Sequence, residues 1–152
     1  MNLNDAKLLA ERLMTDNGLI PHWTFRFDRA VRRFGCCYWR KRMITLSRVL
    51  TELNAAAEVR DTILHEIAHA LVGPGHWHDK AWKAKAVEIG CIGNRCYDNR
   101  AVNTPSHKYE AQCLGCKKMY RTHRRRKVSC GLCSGGRFNP SYLLRWQPSF
   151  QV

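Results

Sequence analysis

The residues with the clearest chemical potential lie in one stretch, TILHEIAHALVGPGHWHDKAW (62–82), which contains four histidines and one glutamate. His65, Glu66 and His69 form the pattern H-E-x-x-H. Histidines four apart on a helix lie on one face about one turn apart, so both imidazoles can reach a single ion. Glu66 is rotated by about 100° from His65 and can take a proton from a water whose pKa zinc lowers to about 7. The pattern predicts a catalytic zinc with Glu66 as general base.

A catalytic zinc needs three protein ligands and an open fourth position, and two histidines are candidates for the third. His76 and His78 both follow the break Gly73-Pro74-Gly75, which lets the chain turn back toward the helix. If this segment is extended, residues two apart point in similar directions, so spacing alone does not choose between them. The continuation H-x-x-G-x-x-H is excluded because position 72 is Val and position 75 is Gly.

Two cysteine pairs in the last third of the chain have the spacing of a zinc ribbon. Cys113-x2-Cys116 and Cys130-x2-Cys133 are separated by thirteen residues, and each pair can form a tight turn that presents two thiolates. A segment of about thirty residues cannot fold on a core of its own, so this second zinc would be structural. A redox role for each pair is disfavoured because no βαβ pattern surrounds it. The other cysteines are Cys36 and Cys37, which we expect to fill the core, and Cys91 and Cys96, which could pair across a short loop.

Between the cysteine pairs lies a strongly basic segment, KKMYRTHRRRKV (117–128), which we expect to form a hairpin with an exposed tip. Its seven cations can neutralise several phosphates; they are Lys117, Lys118, Arg121, Arg124, Arg125, Arg126 and Lys127. Tyr120 lies among them, and Phe138, Tyr142 and Trp146 follow. Aromatic rings interleaved with cations are typical of single-stranded nucleic acid binding, although any one ring is better explained as packing. We therefore expect DNA as a partner, single-stranded or junction-containing rather than plain duplex.

The charge balance of the whole chain points in the same direction. The 152 residues contain 26 Lys and Arg against 12 Asp and Glu, a net charge of +14, and residues 101–152 hold 10 against 1. This excess favours a polyanionic partner over the alternative of a basic protein that is merely soluble. An apolar content of 45% suffices for a core. We see no secretory segment and no membrane span, which predicts a cytoplasmic protein whose cysteines bind metal.

Hydrophobic periodicity and turn signals predict the elements that would position these residues. We expect a helix over 4–14 capped by Asn4, strands over 23–28, 34–39 and 43–47 with a basic turn at Arg40–Arg42, and helices over 55–72 and 80–89. A polar stretch after residue 100 then suggests a linker. The predicted organisation is a protease domain (1–100), a linker (101–107), a zinc ribbon (108–140) and a C-terminal tail (141–152). The tail could bind a partner, but packing on the ribbon is the simpler expectation.

The run HEIAHAL, the glycine-containing break and the run HDKAWKAKA together resemble the SprT/Spartan family of zinc metalloproteases. In that family the third histidine opens the next helix and is followed four residues later by Trp or Phe. His78 with Trp82 fits this rule, whereas His76 would place Lys80 there, so the resemblance implies that His78 is the third ligand, with His76 in reserve. Asp79 stands where family members usually have Gly.

The resemblance covers most of residues 1–138 and implies an α+β fold. This fold is a zincin-like minimal metalloprotease domain (helix, three-stranded sheet, HExxH helix, following helix) with a C-terminal four-cysteine zinc ribbon. The implied protein is a monomeric, DNA-dependent protease with two zinc ions that cleaves proteins crosslinked to, or tightly bound on, DNA. One alternative is a nucleic-acid-binding protein whose HExxH site is not catalytic, which the intact Glu66 disfavours. The other is a metallopeptidase that is indifferent to DNA.

Overall fold

The computed structural model describes residues 1–93 and 102–149, which belong to two compact units, Met1–Pro105 and Ser106–Val152. The N-terminal unit mixes helices with one small sheet. In chain order its elements are α1 (Leu3–Asp16), β1 (Thr24–Asp28), β2 (Gly35–Tyr38), a 3-10 helix (Trp39–Lys41), β3 (Met43–Ser47), α2 (Arg48–Leu53), α3 (Ala56–Val72) and α4 (Lys80–Glu88). The predicted α+β class is confirmed.

The three strands of the N-terminal unit form a sheet of order β1-β3-β2, in which β3 is central and β2 is an edge. β1 runs parallel to β3, with Phe25 opposite Ile44, and β2 runs antiparallel to β3, with Cys37 opposite the same Ile44. Because β3 is covered on both faces, it is almost entirely buried. The sheet therefore presents the backbone of β2 at one of its edges.

The helix α3 is held in place by apolar packing on two of its faces. On one face Val59, Ile63 and Ile67 share a core with α1 and the sheet. On another face Leu64 and Ala68 pack in a second cluster whose other buried members are Trp82, Ala86 and Cys91. A helix buried from two directions cannot rotate without breaking a core, and this rigidity fixes the side chains on its remaining face.

Two predictions for this unit need correction, and one helix was missed. Helix α1 begins earlier than expected, because Asn2 has extended backbone and its side chain accepts from the Asp5 N–H; Asn4 lies within the first turn. Helix α2 was not predicted, since its six residues are too few to show a period; Ser47 caps it. The predicted basic turn is a 3-10 helix followed by Arg42 in a left-handed conformation (φ 46°).

The C-terminal unit contains a second three-stranded sheet, of order β5-β4-β6. Its elements are β4 (Tyr109–Gln112), β5 (Met119–Thr122), a 3-10 helix (Pro140–Tyr142) and β6 (Gln147–Pro148). The hairpin joins β4 to β5, and the turn between them contains the first cysteine pair, with the Lys117 N–H donating to the Cys113 carbonyl. The expected hairpin over 117–128 is therefore wrong, because the tight turn that a C-x-x-C pair requires already makes the chain reversal. The basic segment consists of β5 and the irregular loop 123–128.

The expected tail is part of the fold of the C-terminal unit. Leu144 is buried in the same core as Ala111, and β6 pairs with β4. None of the helices in the described part of the chain combines the length and the apolar composition that a membrane span requires.

Candidate metal centres

Three histidines of the N-terminal unit converge on one point. Helix α3 places His65 and His69 on the same face, and the Nε2 atom of His78 lies 2.9 Å from that of His65 and 3.0 Å from that of His69. A tetrahedral zinc with Zn–N bonds of about 2.0–2.1 Å would set such nitrogens about 3.3 Å apart. The three rings need to move outward by only a few tenths of an ångström, so this histidine tripod fits a zinc ion.

His76 takes a different direction from His78. Its Nδ1 lies 2.7 Å from Oδ2 of Asp79, whose other oxygen accepts from the Trp82 N–H and caps α4. The hydrogen bond from the Trp82 N–H is the main cause that holds the pKa of the Asp79 carboxyl below its usual range, and the bond with His76 acts in the same direction. The expected extended segment is wrong at this point because His78 has a left-handed backbone (φ 58°). A left-handed residue does not follow the alternation of an extended strand, so the two histidines need not point in similar directions.

The surroundings of His69 favour a neutral, oriented imidazole. Burial first, and then the neighbouring His78, lower the pKa of His69 to about 4, while a hydrogen bond with the backbone of His76 acts in the opposite direction. A neutral ring is the form that binds a metal, and a bond from its other nitrogen fixes which nitrogen faces the ion. Trp82, which is 1% exposed, lies beneath all three rings at centroid distances of 4.6, 5.2 and 4.5 Å.

Glu66 is buried beside the tripod, with 7% of its surface exposed. Burial raises the pKa of its carboxyl to about 8, opposed by the charge of Arg33 and by a hydrogen bond from the Cys37 backbone. A cation in the tripod would favour the ionised carboxylate. Gly35 makes room for this side chain, since a Cβ there would lie 2.7 Å from both Cγ and Oε1 of Glu66. Sequence reasoning missed Gly35, although a glycine at the start of a strand can signal a close approach.

A cleft of about 830 Å³ opens onto the tripod and Glu66. One wall comes from β2 and the residues before it, including Arg33, whose guanidinium is 2.6 Å from the Asp28 carboxylate. Arg33 is thus a fixed cation whose charge acts on Glu66. Sequence reasoning did not single it out, because nothing local distinguishes it among 26 Lys and Arg residues.

The four cysteines of the C-terminal unit form a second cluster. The Sγ atoms of Cys113 and Cys133 are 3.8 Å apart, and those of Cys116 and Cys130 are 3.6 Å apart. Zinc with Zn–S bonds of about 2.3 Å would set sulfurs about 3.8 Å apart in a tetrahedron, so the cluster fits zinc closely. The Tyr120 hydroxyl lies 3.0 Å from the Cys130 Sγ, and its hydrogen bond lowers the pKa of that thiol.

The seven cations predicted to bind nucleic acid are exposed side chains of the C-terminal unit; they are Lys117, Lys118, Arg121, Arg124, Arg125, Arg126 and Lys127. Of the aromatic residues near them, Tyr120, Tyr142 and Trp146 pack against the core of this unit. Phe138 is 54% exposed, and the Lys127 ammonium lies 6.0 Å from its ring centroid.

The remaining cysteines give no sign of a third site among the described residues. Cys37 packs against the core and burial raises the pKa of its thiol to about 12. Cys36 lines the cleft, and Cys91 is buried beside α3. Cys96, which could pair with Cys91, lies outside the described residues.

The comparisons with known proteins agree with the site in the N-terminal unit. A family model described as the SprT-like family matches residues 4–107, a range that contains Glu66 and the histidine tripod. Neither a curated protein nor a solved structure matches the chain significantly. The match covers more than half of the 152 residues and indicates a metalloprotease-type function. The chain belongs to the SprT-like family.

Proposed function

We propose that this protein is a zinc metalloendopeptidase with a zincin-like active site. The observation that carries the proposal is the convergence of three imidazole Nε2 atoms beside a buried carboxylate in an open cleft. His65, His69 and His78 would hold the ion and leave a fourth position free, as a catalytic site requires. Zinc, when bound, would activate a water and polarise the scissile carbonyl.

The chain's own residues supply the proton transfers and the charge stabilisation. Glu66 takes the proton of the attacking water on its carboxylate and passes it to the amine that leaves. Arg33, held by Asp28 at the wall of the cleft, contributes a positive charge that favours the ionised form of Glu66. Burial of Glu66 keeps this transfer away from bulk water.

The edge strand β2 is the natural support for the peptide backbone of the substrate. It lies at the edge of its sheet, and its residues Gly35, Cys36 and Cys37 line the cleft. An extended peptide can add to such an edge through main-chain hydrogen bonds, which hold any sequence in register. This arrangement favours unfolded or extended segments of protein substrates.

The test of catalysis is Glu66→Gln in the zinc-loaded protein. We expect cleavage of an unfolded protein to fall by about 10²–10⁴-fold while zinc content and thermal stability are kept. The matched control is Glu52→Gln, because Glu52 is an exposed glutamate on α2, and it should cleave normally. No cleavage by the zinc-loaded wild type would favour a nucleic-acid-binding protein with a non-catalytic site, and equal cleavage by Glu66→Gln and wild type would contradict the role of Glu66 as the base.

We further propose that the enzyme acts on proteins crosslinked to, or tightly bound on, DNA, and that DNA stimulates it. Support comes from the seven exposed cations of the C-terminal unit and from the net charge of +9 in residues 101–152, where 10 Lys and Arg face one acidic residue. Such a surface would tether the protease to a polyanion. Single-stranded or junction-containing DNA is the expected ligand, because exposed Phe138 offers a ring to an unpaired base.

The test of DNA binding replaces Arg124, Arg125, Arg126 and Lys127 by Gln and measures affinity for single-stranded DNA over a range of salt. We expect the slope of log K against log salt to become shallower by about 3 units. The charge-matched control replaces Lys7, Arg12, Lys83 and Lys85, which lie on the helices of the N-terminal unit. Equal weakening by both variants would contradict a specific surface, and equal cleavage with and without DNA would favour a DNA-independent peptidase.

A further inference from the structure

An exposed tryptophan stands next to the third histidine of the tripod. Trp77 is 83% exposed and lines the same cleft as His65 and Glu66. An indole carries a large apolar area whose burial is strongly favourable. A ring left in water at the edge of a metal cleft is therefore a surface that binding could cover.

The loop that carries Trp77 is held at both ends. At its start the Gly73 N–H donates to the His69 carbonyl, 3.2 Å away. At its end His76 is bonded to Asp79, which caps α4. Between them Gly75 (φ 100°) and His78 (φ 58°) have left-handed backbones. These contacts fix the path of the backbone that carries Trp77, so the indole stands at the edge of the cleft before any ligand binds.

A second tryptophan lies at the same end of the cleft. Trp39 follows β2 directly, is 44% exposed, and also lines the cleft. A Cβ on Gly73 would lie 3.8 Å from its Nε1 atom, so the ring lies against the start of the loop. The carboxylate Glu58, near the other end of α3, is fifteen residues from Gly73, which is roughly 22 Å at the rise of a helix. The end of the cleft that contains the two tryptophans is therefore well separated from the end that contains Glu58, and the tripod lies between them.

We propose that Trp39 and Trp77 form a specificity subsite for a large apolar or aromatic side chain of the protein substrate; this rests on the proposed protease function. The occupant follows from continuity, because the subsite opens into the tripod and begins where β2 ends. A peptide that pairs alongside β2 rises by about 3.3 Å per residue, so its side chains pass Trp39 in turn. The two rings then enclose one side chain close to the scissile bond.

The experiment uses the zinc-loaded full chain and peptides that differ at one position, with Leu, Phe, Ala or Asp near the scissile bond. Mass spectrometry of the products maps the position where wild type prefers Leu or Phe. For those peptides Trp77→Ala should lower kcat/KM about tenfold through KM, since one apolar contact is worth about this factor, and should leave the Ala peptide unchanged. Trp77→Phe should restore most of the preference. The control is Leu8→Ala, an exposed apolar residue on α1.

Each outcome of this experiment either supports or overturns the proposed subsite. No apolar preference in wild type, or a preference that Trp77→Ala keeps, overturns it. Weaker binding of single-stranded DNA by Trp77→Ala with an unchanged peptide preference also overturns it and assigns the ring to an unpaired base. If wild type cuts no peptide, the proposed function fails, and affinity of the same peptides for Glu66→Gln, with and without Trp77→Ala, still tests the subsite.

Discussion

The two candidate metal centres differ in how the fold depends on them. The histidine tripod lies on a unit that has a core of its own, formed by α1, α3 and the sheet. In the C-terminal unit the ligands are part of the core, since Cys113 and Cys130 are two of the four buried residues in its described part, beside Ala111 and Leu144. We infer that the N-terminal unit folds without a metal in the tripod, whereas the C-terminal unit folds only when a metal occupies the cysteine cluster.

The same contrast separates the expected roles of the two ions. Four thiolates complete a tetrahedron and leave no position for a substrate, which is typical of a structural zinc. Three imidazoles at the bottom of a cleft leave one position open, which is typical of a catalytic zinc. Variants of the two centres should therefore differ in whether they lose the fold of a unit or only its metal.

The largest effect should come from Cys130→Ser. Structural zinc contributes about 10–16 kcal/mol of apparent binding free energy in small domains, far more than a unit with four buried core residues can spare. We expect amides of β4 and β5 to lose their protection in hydrogen exchange while those of α3 keep it. His65→Ala should instead lose one zinc and keep protection in both units. Protected β4 amides in Cys130→Ser would contradict the contrast.

His78→Ala and His76→Ala should separate a ligand from its neighbour. Removing His78 takes away one of three ligands, so zinc bound to the N-terminal unit should be lost at micromolar metal. His76→Ala removes the side chain but keeps the backbone of residue 76, which forms a hydrogen bond with His69. The affinity for zinc should therefore fall by less than the 10–100-fold that is typical when a supporting residue is lost. Zinc content after dialysis is the measurement. Loss of zinc in His76→Ala alone would make His76 the ligand.

Gly35→Ala should damage the active site without touching a ligand. The added Cβ would lie 2.7 Å from Glu66, so either β2 or the carboxylate must move. We expect a loss of stability of about 1–3 kcal/mol, with a lower kcat and unchanged zinc content, measured by denaturation, steady-state kinetics and metal analysis. Gly131→Ala is the control, because a Cβ there meets nothing within 4 Å. Equal effects of the two variants would show that the close approach is unimportant.

Asp28→Asn should give the smallest effect, and one that depends on pH. Burial alone would raise the pKa of Asp28, but hydrogen bonds from Ala30, Thr45 and Arg33 bring it below its usual value. A lowered folded pKa stabilises the protein above the unfolded pKa of about 3.9, and this contribution disappears as pH falls through the folded pKa. Wild type should therefore be more stable than Asp28→Asn by about 1 kcal/mol at pH 7, and this difference should disappear as the pH falls through the folded pKa of Asp28, as measured by urea denaturation.

Local patterns in the sequence were enough to predict the elements that are long or strictly periodic. The helix over 56–72 and the strand over 43–47 form where the periodicity indicated. The short helix α2 has no period to detect, and the sheet order β1-β3-β2 depends on pairing between segments that are distant in the chain. The basic segment failed as a hairpin because the competing turn at Cys113–Cys116 lies just before it.

The site shows the same division between local and distant information. The spacing in α3 predicts that His65 and His69 share a face, because a helix fixes that geometry. The direction of His78 depends on one left-handed residue, which no spacing rule contains. Gly35, Arg33 and Trp39 acquire their importance only from what the fold brings beside them, namely Glu66, Asp28 and Gly73.

The backbone of the basic loop 123–128 is held by hydrogen bonds from residues that follow it in the C-terminal unit. The Leu144 N–H donates to the Val128 carbonyl at 2.9 Å, and the Trp146 indole donates to the Arg126 carbonyl at 2.7 Å. The entropy lost in ordering this loop is therefore lost when the unit folds and not when a ligand arrives. A polyanion would meet charged side chains carried on a backbone that is already ordered. Its association should then be limited by electrostatic encounter rather than by rearrangement of the loop.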